Sequence, residues 1–364
     1  MSPTSTSSSE WTVIAGRRAR GFGWLPLTVG VLVVFVSSNL LAAAAGERVV
    51  EPLDHYSWPA QTKVHQMDAI RGRRECVDAV VLGPSLGMHS FDPEIVGPRW
   101  GGAHIYNAAI LGTPVSLDVE WYTEWVRPRL GSVRPMFVLS PVSFSASSTL
   151  IQETVDGWQR SRATRPGLLG TLDRLLARLL PLVRYRQRLS DPAHWPSVVG
   201  GRPPEDLANA AEFARRFPEN GFITVQPPDQ TYVEGSAETE RVVRQVVDWL
   251  GRPEVDEGEI EVLEGFLTDS GDEVDPVLVM MPYSRRFVRL LPGGESFVQT
   301  AYGAVRSMAE RHGAHLVDLT GARVPEDWFY DTFHLNARGA GVVSRALGDA
   351  LERMQIPLRC NRRG

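Results

Sequence analysis

An aspartate and a histidine stand three residues apart near the end of the chain, in the stretch YDTFHLNARG at 330–339. A histidine can take a proton from an alcohol near neutral pH. A neighbouring carboxylate can hold the imidazole in the required tautomer and stabilise its cation. Asp331 and His334 are therefore candidates for the orienting acid and the general base of a site that activates an alcohol nucleophile.

The candidate nucleophile is Ser85, which lies more than 240 residues earlier. It follows the apolar run 77–82, which is typical of a buried strand, and the turn residues Gly83 and Pro84. Ser85 as a simple turn residue is the alternative interpretation. The distance along the chain is no obstacle, because a catalytic triad is defined by geometry and not by residue order.

Short buried strands that alternate with helices must bring these residues together. We predict strands at 77–82, 103–108, 136–140, 221–226, 277–281 and 314–319. We predict helices at 116–130, with Ser116 as the N-cap, at 296–312 and at 337–354. This order predicts a three-layer α/β fold with a central parallel sheet. Ligands of such sheets bind beyond the carboxyl ends of the strands, where Ser85 and His334 would meet.

The pattern along the chain divides it into segments with different roles. A disordered tail at 1–20 and an apolar segment at 21–46 precede a linker at 47–72, an α/β domain at 73–143 and 274–364, and a large, mostly helical insertion at 144–273.

The apolar segment 21–46 contains no charged residue and follows three arginines. As a helix its central part would be roughly 33 Å long, enough to cross a bilayer core of about 30 Å. The positive charge before it predicts a cytoplasmic N-terminus and an extracytoplasmic catalytic domain. One N-terminal transmembrane helix is thus expected, and a cleaved signal peptide is the alternative.

A leucine-rich stretch at 168–189 lies within the insertion and would form an amphipathic helix. Its apolar face fits either a cap packed on the domain or an interfacial helix lying on the membrane or against a membrane partner.

Charge and cysteine usage exclude some classes of protein. The formal net charge is −5 and no long basic run is present, so no nucleic-acid partner is expected. Neither Cys76 nor Cys360 has metal-ligand spacing with a histidine, and no metal or organic cofactor is predicted. Because Cys76 precedes the first strand and Cys360 follows the last helix, the topology permits a disulfide between them, provided their Cα atoms lie within about 7 Å.

Three stretches resemble the sequence blocks of the SGNH (GDSL-like) hydrolases. VVLGPSLG is similar to the block that ends in the nucleophilic serine, YNAAILGTP to the block whose glycine donates an oxyanion N–H, and DTFHLNARG to the terminal Asp-x-x-His block. The resemblance covers roughly 77–143 and 277–351. It implies an SGNH-like fold with the catalytic residues Ser85, Asp331 and His334.

The same resemblance suggests which groups would bind the oxyanion or the substrate. They are the backbone N–H groups of Leu86 and Gly112, with Asn107 and Ser143 as further candidates. The chain departs from the family at its third block, where LSPVSFS lacks the usual asparagine, so that Ser143 is a substitute at most. One oxyanion donor contributes about 3–4 kcal/mol in the transition state.

The membrane-anchored branch of this family, which acylates envelope polymers as in teichoic-acid D-alanylation and alginate O-acetylation, is the nearest in arrangement. This resemblance implies serine-dependent O-acyl transfer, such as O-acetylation, to a cell-envelope or exported polysaccharide. It also implies a polytopic membrane O-acyltransferase as the partner that supplies the acyl group.

Two alternatives remain open. One is a secreted or anchored esterase of carbohydrates or small molecules, which gives the acyl group to water. The other is a non-catalytic envelope scaffold or glycan-binding protein with a degenerate fold, an idea that the missing asparagine supports.

Overall fold

The computed structural model describes residues 24–45, 58–145, 179–184, 218–223, 254–290, 293–331 and 333–360, together with a few isolated positions. Most of the insertion and both chain ends lie outside these ranges.

Five parallel strands form the central sheet, in the order β2-β1-β3-β4-β5. The strands are β1 Ala79–Leu82, β2 Ile105–Asn107, β3 Arg134–Leu139, β4 Val277–Met280 and β5 His315–Asp318. Five of the predicted strands are thereby confirmed, with ends that differ by at most two residues. The carboxyl ends of β1 and β3 are adjacent, because Leu82 pairs with Phe137.

Alternating side chains of the strands point to the two faces of the sheet, as strand geometry requires. In β1, Val80 and Leu82 belong to one apolar core, whereas Ala79 and Val81 belong to the other. The sheet is therefore buried on both sides, and the protein is an α/β structure of three layers.

Helices cover both faces. The helices are α1 Trp24–Ala45, α2 Trp58–Arg73, α3 Ser85–Ser90, α4 Pro93–Arg99, α5 Val115–Trp121, α6 Arg127–Leu130, α7 Pro181–Arg184, α8 Glu257–Val274, α9 Arg285–Leu290, α10 Gly294–His312 and α11 Ala337–Arg353. A π-helical turn at Tyr122–Val126 joins α5 to α6, and short 3-10 helices occupy Pro141–Phe144 and Glu326–Trp328. Helices α2, α5, α8 and α10 pack in one core, and α3, α4 and α11 pack in the other.

The expected linker at 47–72 is wrong over its described part, because α2 is a helix that packs on the core. Ala60, Val64, Met67 and Ile70 are all buried in it. Their spacing of three and four residues is that of a single helix face. The polar residues between them lower the mean hydropathy and obscure this pattern.

Three further expectations need adjustment. Ser116 is not an N-cap: α5 begins at Val115, and Glu259 accepts hydrogen bonds from both the Ser116 N–H and hydroxyl. The expected strand at 221–226 is absent from its described residues, 221–223, and the remainder lies outside the described part. Helix α8, which the sequence boundary assigned to the insertion, packs against α5 and α10 of the α/β domain.

The N-terminal segment forms the 22-residue helix α1. Across the described residues, no helix meets the length and apolarity needed to cross a membrane. The transmembrane anchor therefore stays a prediction.

Little of the expected helix at 168–189 lies inside the described residues. Helix α7 lies against α1, and the Leu182 N–H donates to the Asn39 Oδ1 (3.2 Å). Leu175, Leu176 and Leu179, on the apolar face of the predicted helix, are exposed.

A disulfide between Cys76 and Cys360, with Cα atoms 5.7 Å apart, closes the edge of the sheet opposite Ser85. The buried Asp78 reinforces this edge, because its two carboxylate oxygens accept from the backbone N–H groups of Cys360 (2.6 Å) and His104 (2.8 Å). The C-terminus is thereby attached to the start of β1.

Candidate active site

The turn after β1 presents Ser85 as the first residue of α3. Gly83 makes this turn possible, since its φ is +135° and a Cβ there would lie 2.6 Å from the Val138 carbonyl oxygen. Only glycine tolerates both the conformation and the close approach to β3. The glycine of this Gly-Pro-Ser turn is therefore required on steric grounds, and the turn places Ser85 just beyond the carboxyl end of β1.

The second half of the site is the loop before α11. An antiparallel bridge between Phe329 and Leu335 closes this loop, and the Asn336 side chain caps α11 by accepting from the N–H groups of Arg338 and Gly339. The loop is thus held at both ends, so the residues inside it have a defined position.

Asp331 organises the interior of this loop. Its Oδ1 accepts from the backbone N–H groups of Phe333 (2.8 Å) and His334 (2.7 Å), and its Oδ2 contacts the His334 Nδ1 at 2.6 Å. A carboxylate only accepts hydrogen bonds, so Nδ1 is the protonated nitrogen and the lone pair is at Nε2.

That lone pair faces the nucleophile. The His334 Nε2 lies 2.6 Å from the Ser85 Oγ, which donates to it. Asp331, His334 and Ser85 therefore form one continuous hydrogen-bonded chain, as predicted from their types and positions. The His334 side chain is 17 % exposed and that of Asp331 is 11 % exposed, so both side chains are largely enclosed.

Burial by itself would raise the pKa of Asp331. The adjacent His334, through its charge and its hydrogen bond, and the two backbone N–H groups outweigh that effect and lower the pKa below its ordinary value. Asp331 is thus an anion at neutral pH, which is the state needed to stabilise an imidazolium at His334.

Two aromatic rings pack on the imidazole of His334. The Phe333 ring centroid lies 4.1 Å from it, and the His89 ring meets it edge-on at 5.8 Å. His89 was not among the predicted site residues, although its position four residues after Ser85 on one helix was a usable signal.

Leu86 and Gly112 keep the backbone N–H groups expected to bind an oxyanion. In the described part of the chain, neither N–H donates to a protein acceptor. For Leu86 this follows from its place in the first turn of α3, where N–H groups have no partner inside the helix. Gly112 lies in the loop that follows β2.

Asn107 and Ser143 are engaged elsewhere. The Asn107 side chain is fully buried, and its amide donates to the carbonyl oxygens of Gly87 and Phe91, both at 3.0 Å. Ser143 is buried in a reciprocal capping box with Ser140. Asn107 therefore supports the end of α3, and Ser143 supports the turn after β3. Both side chains are therefore engaged in local structural contacts.

Within the described residues, no group of three or more His, Cys, Asp or Glu side chains is arranged to hold a metal ion. The comparisons with known proteins add no name: no protein-family model matches the chain, and no curated protein matches its sequence. The chemistry of the site therefore has to be argued from its geometry, which joins an alcohol, a base and an orienting anion.

Proposed function

We propose that the chain is an SGNH-type serine acyltransferase that transfers an acyl group, such as acetyl, to a hydroxyl of an envelope or exported polysaccharide. The observation that carries this proposal is the 2.6 Å contact between Ser85 Oγ and His334 Nε2, continued at 2.6 Å from His334 Nδ1 to Asp331. A serine alcohol becomes an effective nucleophile when a base so oriented takes its proton.

The first half-reaction forms an acyl-serine. Ser85 Oγ attacks the acyl carbonyl carbon while its proton passes to His334 Nε2. The tetrahedral intermediate then collapses, and His334 returns the proton to the leaving group of the donor. The product is an ester on Ser85 and a neutral His334.

The second half-reaction reverses these roles. The acceptor hydroxyl gives its proton to His334 and attacks the acyl-serine, and His334 then protonates Ser85 Oγ as it leaves. Water in place of the sugar hydroxyl would make the same site an esterase, which is the principal alternative.

The negative charge that develops in both steps requires donors. The unpartnered N–H groups of Leu86 and Gly112 suit this role, and backbone donors of this kind act without reorganising during the reaction. Because the hydroxyl of Ser143 is bonded to Ser140, we assign it no part in the chemistry.

The extracytoplasmic, membrane-anchored location belongs to the same proposal. It is supported by the uncharged segment 21–46 after three arginines and by exposed leucines at 175, 176 and 179 near a segment that packs against α1. A catalytic domain held at the outer surface suits a polytopic membrane O-acyltransferase as the supplier of acyl groups.

A burst experiment tests the reaction. Full-length protein in detergent is mixed with 4-nitrophenyl acetate, and nitrophenolate release and the intact mass are followed together. We expect one acetyl group per chain on Ser85, and Ser85→Ala should lower the acylation rate by at least about 10³-fold. Ser296→Ala, which changes an exposed serine of α10, serves as the matched control.

The outcomes separate the alternatives. A burst in Ser85→Ala equal to that of the unchanged protein would refute the assignment. Absence of acylation in both proteins would favour the non-catalytic scaffold. Acetyl transfer to water alone, with every sugar acceptor inert, would favour the esterase.

A further inference from the structure

His89 is the residue near the reacting atoms to which the proposed reaction assigns no role. It lies four residues after Ser85 in α3, and side chains with this spacing lie on the same side of a helix. Its ring meets that of His334 edge-on, with centroids 5.8 Å apart and an interplanar angle of 84°. The imidazoles of His89 and His334 therefore lie side by side near Ser85.

The state of the His89 ring follows from its contact with the insertion. Its Nδ1 lies 2.8 Å from the Ile223 carbonyl oxygen. A carbonyl only accepts hydrogen bonds, so Nδ1 carries the proton. Burial, and after it the neighbouring His334, lower the pKa of His89 to about 3. The ring is thus neutral near pH 7, and its Nε2 presents a lone pair.

That lone pair is free to receive a ligand. The His89 Nε2 has no hydrogen-bond partner among the described residues, and it is not one of their buried unsatisfied atoms. It therefore keeps some solvent contact and lies on the helix that begins with Ser85, so that a substrate hydroxyl can donate to it.

The segment that orients His89 is firmly attached. The Ile223 N–H donates to the Met88 carbonyl (3.4 Å), and the Asn107 N–H donates to the Asn220 carbonyl (2.8 Å). Gly221 comes so close to β2 that a Cβ would lie 2.2 Å from the Asn107 carbonyl oxygen. This part of the insertion therefore fixes the tautomer and the direction of the His89 ring.

We infer that His89 binds the acceptor, with its Nε2 accepting from the hydroxyl next to the one that attacks the acyl-serine, so that the site selects vicinal diols of the kind found in sugar rings. This inference rests on the proposed acyl transfer. His334 takes the proton of the attacking hydroxyl, and His89 holds its neighbour. Two hydrogen bonds of about 2.8 Å to adjacent hydroxyls can span two imidazoles at the observed separation.

The test measures acceptor selectivity with 4-nitrophenyl acetate as the donor. Trans-cyclohexane-1,2-diol and cyclohexanol compete as acceptors, and their acetate esters are quantified by chromatography. The unchanged protein should prefer the diol by about tenfold after correction for its second hydroxyl, which corresponds to one net hydrogen bond.

Two variants divide the functions of the two ring nitrogens. In His89→Asn, the side-chain N–H still reaches toward the Ile223 carbonyl, but nothing replaces Nε2. In His89→Gln, the amide oxygen reaches the place of Nε2, but the contact with Ile223 is weakened. We expect His89→Asn to lose the diol preference, and His89→Gln to retain most of it.

A preference that survives in His89→Asn, or that is absent in the unchanged protein, would overturn the inference. A burst that survives Ser85→Ala would instead overturn the proposed function, so the two failures are distinct. If a variant does not fold, the unchanged protein still decides: the His89 Nε2 resonance in ¹⁵N-imidazole NMR should shift to saturation as the diol is added. A resonance that does not move would also overturn it.

Discussion

At the scale of single residues, the site combines an anionic carboxylate with a neutral imidazole. Asp331 is held as an anion by four interactions, and its pKa is lowered although it is almost fully enclosed. His89 is partly buried, and burial together with the neighbouring His334 outweighs the opposing effects of the Ile223 carbonyl and Asp331, so that its pKa falls to about 3. The environment therefore holds an anionic carboxylate and a neutral imidazole next to His334, the proposed base.

The depressed pKa of His89 has a measurable effect on stability. In the unfolded chain its pKa is near 6.5, so between about pH 6.5 and about pH 3 the unfolded chain binds a proton that the folded protein excludes. Falling pH in this window therefore favours unfolding. We expect the free energy of unfolding to drop between pH 7 and pH 4.5 by about 1–2 kcal/mol more in the unchanged protein than in His89→Asn.

Urea unfolding at the two pH values measures this difference. Asp331 does not interfere, because its lowered pKa implies stability that is lost only below its ordinary value of 3.8. If the unchanged protein and His89→Asn lost the same unfolding free energy between the two pH values, the fold would not prevent protonation of His89.

At the scale of elements, α2 does more than cover the core. It carries Lys63, the one lysine of the chain, which is fully buried. Its Nζ donates to the carbonyl oxygens of Asn107 and Gly221. Burial lowers the pKa of this ammonium group well below its ordinary value. Helix α2, which was predicted to be part of a linker, thus joins β2 to residues 218–223, the segment that orients His89.

Replacing Lys63 by methionine should loosen that junction. The change keeps most of the side-chain volume but leaves two buried carbonyl groups without this donor, and we expect a loss of about 1–3 kcal/mol in unfolding free energy. Faster hydrogen exchange at 218–223 should accompany it. The control is Arg71→Met, which removes an exposed cation from the same helix; it should change stability by less than about 0.5 kcal/mol. Equal effects of the two variants would contradict the role of Lys63.

At the scale of the whole molecule, the two edges of the sheet have different tasks. The triad lies beyond the carboxyl ends of the strands, where parallel sheets bind their ligands. The opposite edge holds the disulfide, the Asp78 hydrogen bonds and the buried ion pair of Arg134 with Asp275 (2.5 Å). Stability and chemistry are therefore separated by the length of the strands.

This separation predicts the effect of removing the disulfide. The bond joins residues 284 positions apart, and loops of such length restrict the unfolded chain strongly. We expect the double variant Cys76→Ala, Cys360→Ala to lose about 2–5 kcal/mol of unfolding free energy. The rate of acetyl-Ser85 formation, measured well below the unfolding transition, should stay within about twofold. A parallel loss of that rate would mean that the two edges are coupled.

Residue types and local pattern were sufficient to predict the parallel sheet and to predict that Ser85, His334 and Asp331 meet at one edge of it. The reason is that a buried strand, the glycine turn after it and an Asp-x-x-His loop before a helix are all encoded within about ten residues. Other roles depend on contacts between more distant parts of the chain and could not be predicted. They are those of Asn107, Ser143, His89 and α2. Asn107 supports α3 from 16 to 20 positions away, and the partner of His89 is 134 positions away. A polar side chain faces the site or the interior according to which distant carbonyl or N–H group folding brings beside it, and only the tertiary structure decides that.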